Sequence, residues 1–224
     1  MIIIALNLSP TLEVLDKICP YLKDGTIVTD ICGVKRPIIK KMNELSKVYD
    51  NLKFCGVHPM AGREFSGISH SSANLFERAY IVLVPIYDDI EVLSILKEFY
   101  KSILAQDVQV CNAEYHDKMI AYTSQLAHIV SSSYIKDPSS SEHAGFSAGS
   151  FRDLTRVAKL NPNMWDELFV SNKDNLVGCI DNIIKELTLY RDSISNEGEG
   201  LTQLLQEGVL KKELAEQARK DRLK

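Results

Sequence analysis

Gly56-Val-His-Pro-Met-Ala-Gly-Arg-Glu-Phe-Ser-Gly67 is the stretch around which the rest of the chain is organised. It follows the apolar run Lys53-Phe54-Cys55, which predicts a buried strand, and its glycines and Pro59 predict an irregular loop. His58 would then lie at the carboxyl end of a strand, where ligands bind in open α/β sheets. An imidazole there can exchange a proton near neutral pH. This stretch alone supports equally well a loop histidine that only satisfies local backbone groups.

Outward from this stretch, short apolar runs alternate with amphipathic helical patterns. Ser9 and Pro10 predict a helix start, with Ser9 as the N-cap, and Asp88 or Asp89 predicts another. The alternation predicts a mostly parallel sheet with helical crossovers. Strands are expected at 2–6, 26–30, 53–57, 80–84 and 108–111.

The pattern changes after Cys111, where only helical periodicity follows. The run 112–135 predicts one long helix, whose inward stripe is expected to be Met119, Tyr122, Leu126, Ile129 and Val130. Two later apolar stripes, 176–190 and 201–214, exceed what one short helix pair covers, which favours a homodimer. The alternative is that these stripes pack within one subunit.

Composition narrows the class of protein. The chain has 224 residues and a formal net charge of −4, and no basic face suggests nucleic acid as a partner. No apolar stretch has the length of a membrane span, so no membrane association is expected. Five widely spaced cysteines without a CxxC pair argue against a metal site or a disulfide framework, and a cytoplasmic protein with free thiols is expected.

Several segments together resemble the prephenate dehydrogenase family, which also includes arogenate dehydrogenases. The resemblance covers essentially the whole chain, and the His-Pro-Met-Ala-Gly and Phe-Arg-Asp-Leu-Thr-Arg motifs are its most specific parts. The segments are Thr29-Asp-Ile-Cys-Gly-Val-Lys35, Gly56 to Glu64, Gln125-Leu-Ala-His128, Ala148-Gly-Ser-Phe-Arg-Asp-Leu-Thr-Arg156 and Asn161-Pro-Asn-Met-Trp165.

The resemblance implies an NAD- or NADP-dependent oxidative decarboxylation of prephenate, or of arogenate, on the route to tyrosine. It implies His58 as the acceptor of the ring hydroxyl proton, with an ordinary histidine pKa near 6–7, and Glu64 as an acidic residue bordering the active site. Arg156 would hold a substrate carboxylate bidentately. The remaining site residues implied are Gln125, His128 and Trp165 for substrate, and Asn7, Ser9, Asp30 and Gly33 for cofactor.

Two departures from the family pattern matter. The family often has a serine where this chain has Gly33, so a hydroxyl beside the catalytic histidine is missing. The chain also lacks a G-x-G-x-x-G fingerprint and the first strand–turn–helix units that carry it, roughly 60 residues at about 30 per unit. We therefore expect a member truncated at its start that does not bind NAD(P) usefully by itself.

The predicted fold class is α/β, an incomplete Rossmann-type, mostly parallel sheet followed by an all-α dimerisation domain. Residues 1–111 would form the partial dinucleotide-binding domain, and 112–224 the helical substrate-binding and dimerisation domain. The alternative function is a catalytically incomplete remnant that dimerises, binds substrate or tyrosine, and regulates a partner.

Overall fold

The computed structural model describes residues 1–62 and 67–222, and in this part of the chain five strands precede an all-helical second half. The first half contains β1 (Ile2–Ile4), α1 (Leu8–Ile18), β2 (Ile27–Asp30), α2 (Arg36–Ser46), β3 (Lys53–Pro59), β4 (Tyr80–Pro85), α3 (Ile90–Ser102) and β5 (Asp107–Val110). The second half contains α4 (Ala113–Ile120), a π-helical turn (Ala121–Gln125), α5 (Leu126–Tyr134), α6 (Gly149–Thr155), α7 (Pro162–Ser171), α8 (Lys173–Ser195) and α9 (Leu201–Arg222).

The five strands form one sheet in the order β1-β2-β3-β4-β5. Three of the four neighbouring pairs are parallel, and β3 and β4 are antiparallel. The predicted α/β class with a mostly parallel sheet and a helical second half is therefore confirmed. Because β1, β2 and β3 are parallel, their carboxyl ends share one edge of the sheet.

The strand β3 continues further than the sequence predicted. His58 and Pro59 were assigned to an irregular loop, but they belong to the strand and pair with β4 in antiparallel register, His58 opposite Val82. The antiparallel neighbour supplies backbone partners that glycine and proline spacing does not reveal. Gly56 is needed where it lies, since a Cβ there would come within 3.0 Å of Ile39 and 3.1 Å of Lys35.

Two apolar cores cover the sheet. Leu15 of α1 and Ile38 and Met42 of α2 pack with Val28 in one core. Leu96 and Tyr100 of α3 pack with residues of the middle strands in the other. Strands covered on both faces read as apolar runs without alternation, which is why β2 and most of β3 were predictable.

The predicted N-cap of α1 is wrong. Asn7, in extended conformation, precedes the helix, and Ser9 lies inside its first turn. Of the two aspartates predicted for the start of α3, Asp88 and Asp89, the N-cap is Asp89, because its carboxylate accepts a hydrogen bond from Val92 N at 3.2 Å.

The predicted inward face of the 112–135 helix is wrong in its first half, whereas Leu126 of the same stripe is buried as predicted. Tyr122 is 66% exposed, whereas the buried face of α4 carries His116 and Asp117 beside apolar residues. A π-helical turn then shifts the register by inserting an extra residue, a feature that recurs at functional sites.

The chain separates into two compact units, Met1–Leu176 and Val177–Lys224. The first holds the sheet and α4–α7. The second consists of most of α8 and of α9, joined by a turn in which Glu197, Gly198 and Gly200 have positive φ. None of the helices described over 1–62 and 67–222 has the length and apolar content to cross a membrane.

Candidate functional site

The candidate site lies in the first unit, at the edge where the carboxyl ends of β1, β2 and β3 meet. His58 is the penultimate residue of β3, and Asp30 ends β2 opposite Ile4 of β1. Asn7 follows β1 directly and is exposed, with no capping bond from its side chain. His58 and the loops predicted from the sequence to bind a ligand therefore lie at the same edge of the sheet.

His58 belongs to a chain of three polar side chains. Its Nδ1 lies 2.9 Å from Nε2 of His116, and Nδ1 of His116 lies 2.7 Å from Oδ1 of Asp117. His58 is half-buried, while His116 and Asp117 are buried. The bond joins the end of the sheet to the first helix of the second half.

Asp117 is held by the start of α2. Its two oxygens accept hydrogen bonds from the backbone N–H groups of Lys35 (2.7 Å) and Arg36 (2.9 Å), and the Arg36 guanidinium adds a further contact at 3.3 Å. Burial acts to raise the pKa of Asp117, but the bonds from His116 and from these backbone groups hold it below its ordinary value. Asp117 is therefore an anion at neutral pH.

A buried ion pair between Lys35 and Asp30 lies near His58. Lys35 and Asp30 have no exposed side-chain surface, and Lys35 Nζ lies 2.5 Å from Asp30 Oδ2. Asp30 also accepts from Cys32 N (2.8 Å) and Val57 N (3.2 Å). The structure therefore places the Asp30 carboxylate, predicted as a cofactor contact, in the interior. There it binds the backbone of the turn after β2 and of strand β3.

Burial lowers the pKa of His58 well below its ordinary value, and the neighbouring His116 and Lys35 lower it further. The expectation of an ordinary histidine pKa near 6–7 is wrong for this reason. The ring is neutral at neutral pH, which is the state that a proton acceptor requires.

Of the other predicted cofactor residues, Ser9 is engaged by the protein. Its N–H donates to Glu167 Oε1 at 2.7 Å, and its hydroxyl contacts the same oxygen. Gly33 lies beside Leu168, which a Cβ would approach at 3.5 Å, an ordinary contact distance. A side chain at position 33 is thus sterically allowed.

Gln125 and His128 were predicted to face one ligand, but the structure separates their roles. Gln125 is buried and donates to Leu168 O at 3.0 Å, while its oxygen accepts from Asn172 Nδ2 at 2.8 Å. His128 is half-buried and stacks on Trp165, with ring centroids 3.8 Å apart. The structure thus brings His128 and Trp165 together and places the Gln125 amide inside.

Arg156 is exposed directly after α6, and Glu64 lies outside the described residues. A cavity of about 840 Å³ lies next to α6, lined by residues between Ser133 and Phe151. It does not include His58, so the site is defined here by the hydrogen bonds at the sheet edge. The ligand assignments of all these residues stay predictions.

Sequence reasoning missed His116, Asp117 and the buried state of Lys35. One signal was present, because His116 and Asp117 fall at helical spacing from the apolar residues Ala113 and Ile120. Polar residues on an apolar face indicate buried partners, and a site is one common reason for them.

Comparison with known proteins agrees with this layout. The family model "Prephenate dehydrogenase, nucleotide-binding domain" matches residues 1–109, and "Prephenate dehydrogenase, dimerization domain" matches residues 112–207. A prephenate dehydrogenase of Lactococcus lactis is 36% identical over 193 residues, which is 84% of this chain and 52% of that protein. The chain spans about half the length of this curated relative.

Two solved structures are similar over most of the chain. The prephenate dehydrogenase of Aquifex aeolicus, in complex with hydroxyphenyl propionate and NAD+, has a TM-score of 0.77 and 26% identity, covering 95% of this chain and 75% of that one. The Synechocystis arogenate dehydrogenase has a TM-score of 0.76 and 27% identity, covering 95% and 78%. Both domains of one family are matched in order, and this chain belongs to the prephenate dehydrogenase family.

Proposed function

We propose that the chain provides the proton-accepting and substrate-binding part of a dehydrogenase that converts prephenate, or arogenate, by NAD(P)-dependent oxidative decarboxylation. The observation that carries the proposal is a neutral, half-buried His58 at the carboxyl end of β3, with its Nδ1 already used by His116. Only Nε2 of His58 is then left to accept a proton from a ligand. A single positioned base of this kind suits the oxidation of a ring carbinol.

The chemistry balances with one base and one hydride acceptor. When the ring hydroxyl gives its proton to Nε2 of His58, the carbinol carbon becomes a carbonyl as its hydride leaves. Loss of the ring carboxylate as carbon dioxide then leaves the electron pair of the broken C–C bond to the ring, which becomes aromatic, and the former carbonyl oxygen, now a phenolate, takes up a proton. When bound, a nicotinamide ring supplies the hydride acceptor.

The residues present fit the nicotinamide end of such a cofactor. Asn7 is exposed beside the ends of β1 and β2, and Gly33 leaves the neighbouring turn without a side chain. These positions would receive the cofactor next to His58. Neither of these two residues distinguishes NAD from NADP.

The substrate carboxylates require cations. We assign Arg156 to one of them, because a guanidinium binds a carboxylate through two parallel hydrogen bonds. The stacked pair of His128 and Trp165 would line the ring pocket, His128 as a donor and Trp165 as a flat apolar wall.

We further propose a cytoplasmic homodimer. The described cysteines are all free thiols, as expected in a reducing compartment. The helices α8 and α9 expose a series of apolar side chains that a second copy would cover, among them Ile184, Leu187, Ile194, Leu205 and Leu210.

A tyrosine auxotroph provides the direct test. We expect the reading frame, expressed together with its upstream DNA, to restore growth without tyrosine, and His58→Asn to abolish that growth. Purified protein should then reduce NAD or NADP with prephenate or arogenate, which identifies both substrates. Equal growth with His58→Asn would contradict the proposal.

The alternative is a remnant that binds ligand without turnover. It is favoured by the Glu167 carboxylate, which already occupies the N–H of Ser9 at the start of α1. In that case no form would restore growth, while hydroxyphenyl propionate would still bind the chain and Arg156→Ala would weaken that binding.

A further inference from the structure

The hydrogen bonds around His58 specify which of its two nitrogens carries the proton. Asp117 is an anion fixed by the backbone N–H groups of Lys35 and Arg36, at the positive end of α2. It can only accept a hydrogen bond, so Nδ1 of His116 must be the donor in the 2.7 Å contact.

The remaining assignments follow for a neutral His116, in which one imidazole nitrogen donates and the other accepts. If His116 donates from Nδ1, its Nε2 is an acceptor. The 2.9 Å contact then requires Nδ1–H of His58 to donate to it. His58 is left with its lone pair on Nε2, the nitrogen that the proposed reaction needs.

We propose that His116 and Asp117 are positioning residues that hold His58 in the Nδ1–H tautomer and orient its ring. The catalytic consequence rests on the proposed function, but the tautomer itself does not. Neither residue touches the substrate in this scheme, since both are buried behind His58.

The same arrangement stabilises His58 after it has taken a proton. The imidazolium keeps its Nδ1–H bond to His116, and the charge of Asp117 acts on it through that ring. Among the residues that the structure describes, the other charged groups near His58 are Lys35 and Asp30, which are paired with each other. Asp117 therefore opposes the effects of burial and of Lys35, which both disfavour the charged ring.

Nitrogen-15 NMR of the imidazole rings tests the tautomer directly, and only five histidines need to be assigned. At neutral pH we expect His58 to show a protonated Nδ1 and an unprotonated Nε2. His116→Gln keeps an acceptor oxygen and should retain this state. His116→Phe keeps a flat ring without an acceptor and should release His58 to the Nε2–H form or to a mixture.

The two variants separate positioning from packing. Phenylalanine fills the space of His116 better than glutamine does, so a packing role predicts the opposite order of disturbance. A His58 tautomer that is Nε2–H in the wild type, or unchanged in His116→Phe, would overturn the inference.

Asp117 is tested through the pKa of His58. Asp117→Asn should lower the midpoint of the His58 titration further, because the charge that favours the imidazolium is gone. Asp174→Asn is the matched control, since Asp174 also binds Arg36 but does not contact His116. Equal midpoints in Asp117→Asn and wild type would contradict the role of Asp117.

These spectra are recorded without cofactor or substrate. A wrong tautomer therefore contradicts this inference alone, whereas failure to restore growth contradicts the proposed function alone.

Discussion

At the scale of the residue, the low pKa of His58 sets the pH range in which the site can work. Since burial, His116 and Lys35 all lower that pKa, we expect kcat/KM to decrease on the acidic side only at pH values below 6.5. His58→Asn should remove the limb and reduce turnover by about 10²–10⁴. The pH profile of an active form measures both, and an acidic limb that persists in His58→Asn would show that another group titrates.

The same pKa makes a contribution to folding stability with a definite sign. A histidine whose pKa is lowered on folding binds protons more readily in the unfolded chain. Its contribution is full above the unfolded pKa, about 6.5, and is lost as pH falls towards the lower folded value. We therefore expect His58→Gln to lose less stability than wild type between about pH 7 and 5. Urea titrations at several pH values measure the folding stability of both proteins. Equal losses of stability in His58→Gln and wild type would contradict the expectation.

Arg156 allows a prediction with a matched control on the same helical face. Arg156→Ala should weaken binding of hydroxyphenyl propionate by about 2–5 kcal/mol if the guanidinium holds its carboxylate. The melting temperature should change little, because the side chain is exposed. Arg152→Ala, four residues earlier and with its side chain 82% exposed, should bind like wild type. Calorimetry decides between the two, and wild-type affinity in Arg156→Ala would remove it from the site.

At the scale of the element, Asn172 is the residue through which the helices of the site are joined. Its side chain is fully buried, donates to Asp117 O and Gln125 Oε1 at 2.8 Å each, and accepts from Arg36 at 2.9 Å. Asn172→Ala leaves these groups without their partner and should cost about 1–3 kcal/mol of stability. Asn175→Ala is the control, because the side chain of Asn175 donates to Asn172 but does not contact Asp117 or Gln125 among the hydrogen bonds of the described residues. Chemical denaturation that finds the two variants equal would contradict the assignment.

The elements themselves could largely be predicted from the sequence, and the site could be predicted in part. Buried strands are apolar on both faces, and the pair Asp88 and Asp89 marks the start of α3, where Asp89 is the cap. The buried face of α4 could not be found by apolar periodicity, since His116 and Asp117 are stabilised inside by partners from α2 and β3 that are distant in sequence. The pairing of Lys35 with Asp30, five residues apart, was not predicted either.

The start of α1 provides a prediction about the cofactor. A pyrophosphate bound at a helix N-terminus needs backbone N–H groups, but Ser9 N–H already donates to Glu167 and Pro10 has none. We expect residues 1–224 to show no thermal shift with millimolar NAD or NADP. Glu167→Gln should not change this, because Pro10 remains. Micromolar affinity by calorimetry would mean that other contacts hold the nucleotide.

At the scale of the whole molecule, the second unit leaves many of its apolar side chains exposed to solvent. Every side chain from Leu205 to Asp221 is exposed, and in α8 Ile184 and Leu187 are 55% and 60% exposed. Apolar patches of this kind mark interaction surfaces. The apolar spacing in the sequence predicted the stripes, but only the structure shows that the unit does not bury them itself.

We therefore expect a homodimer through α8 and α9, measured by sedimentation at micromolar concentration. Leu187→Asp should weaken association, because a carboxylate buried without a partner costs about 1–3 kcal/mol or more, which corresponds to roughly ten- to hundredfold in the dissociation constant. Val48→Asp, an equally drastic change at a position 71% exposed in the first unit, should leave the dimer intact. If both variants dissociate equally, the dimer interface lies elsewhere. If the wild type sediments as a monomer, the exposed residues of α8 and α9 must bind a different partner.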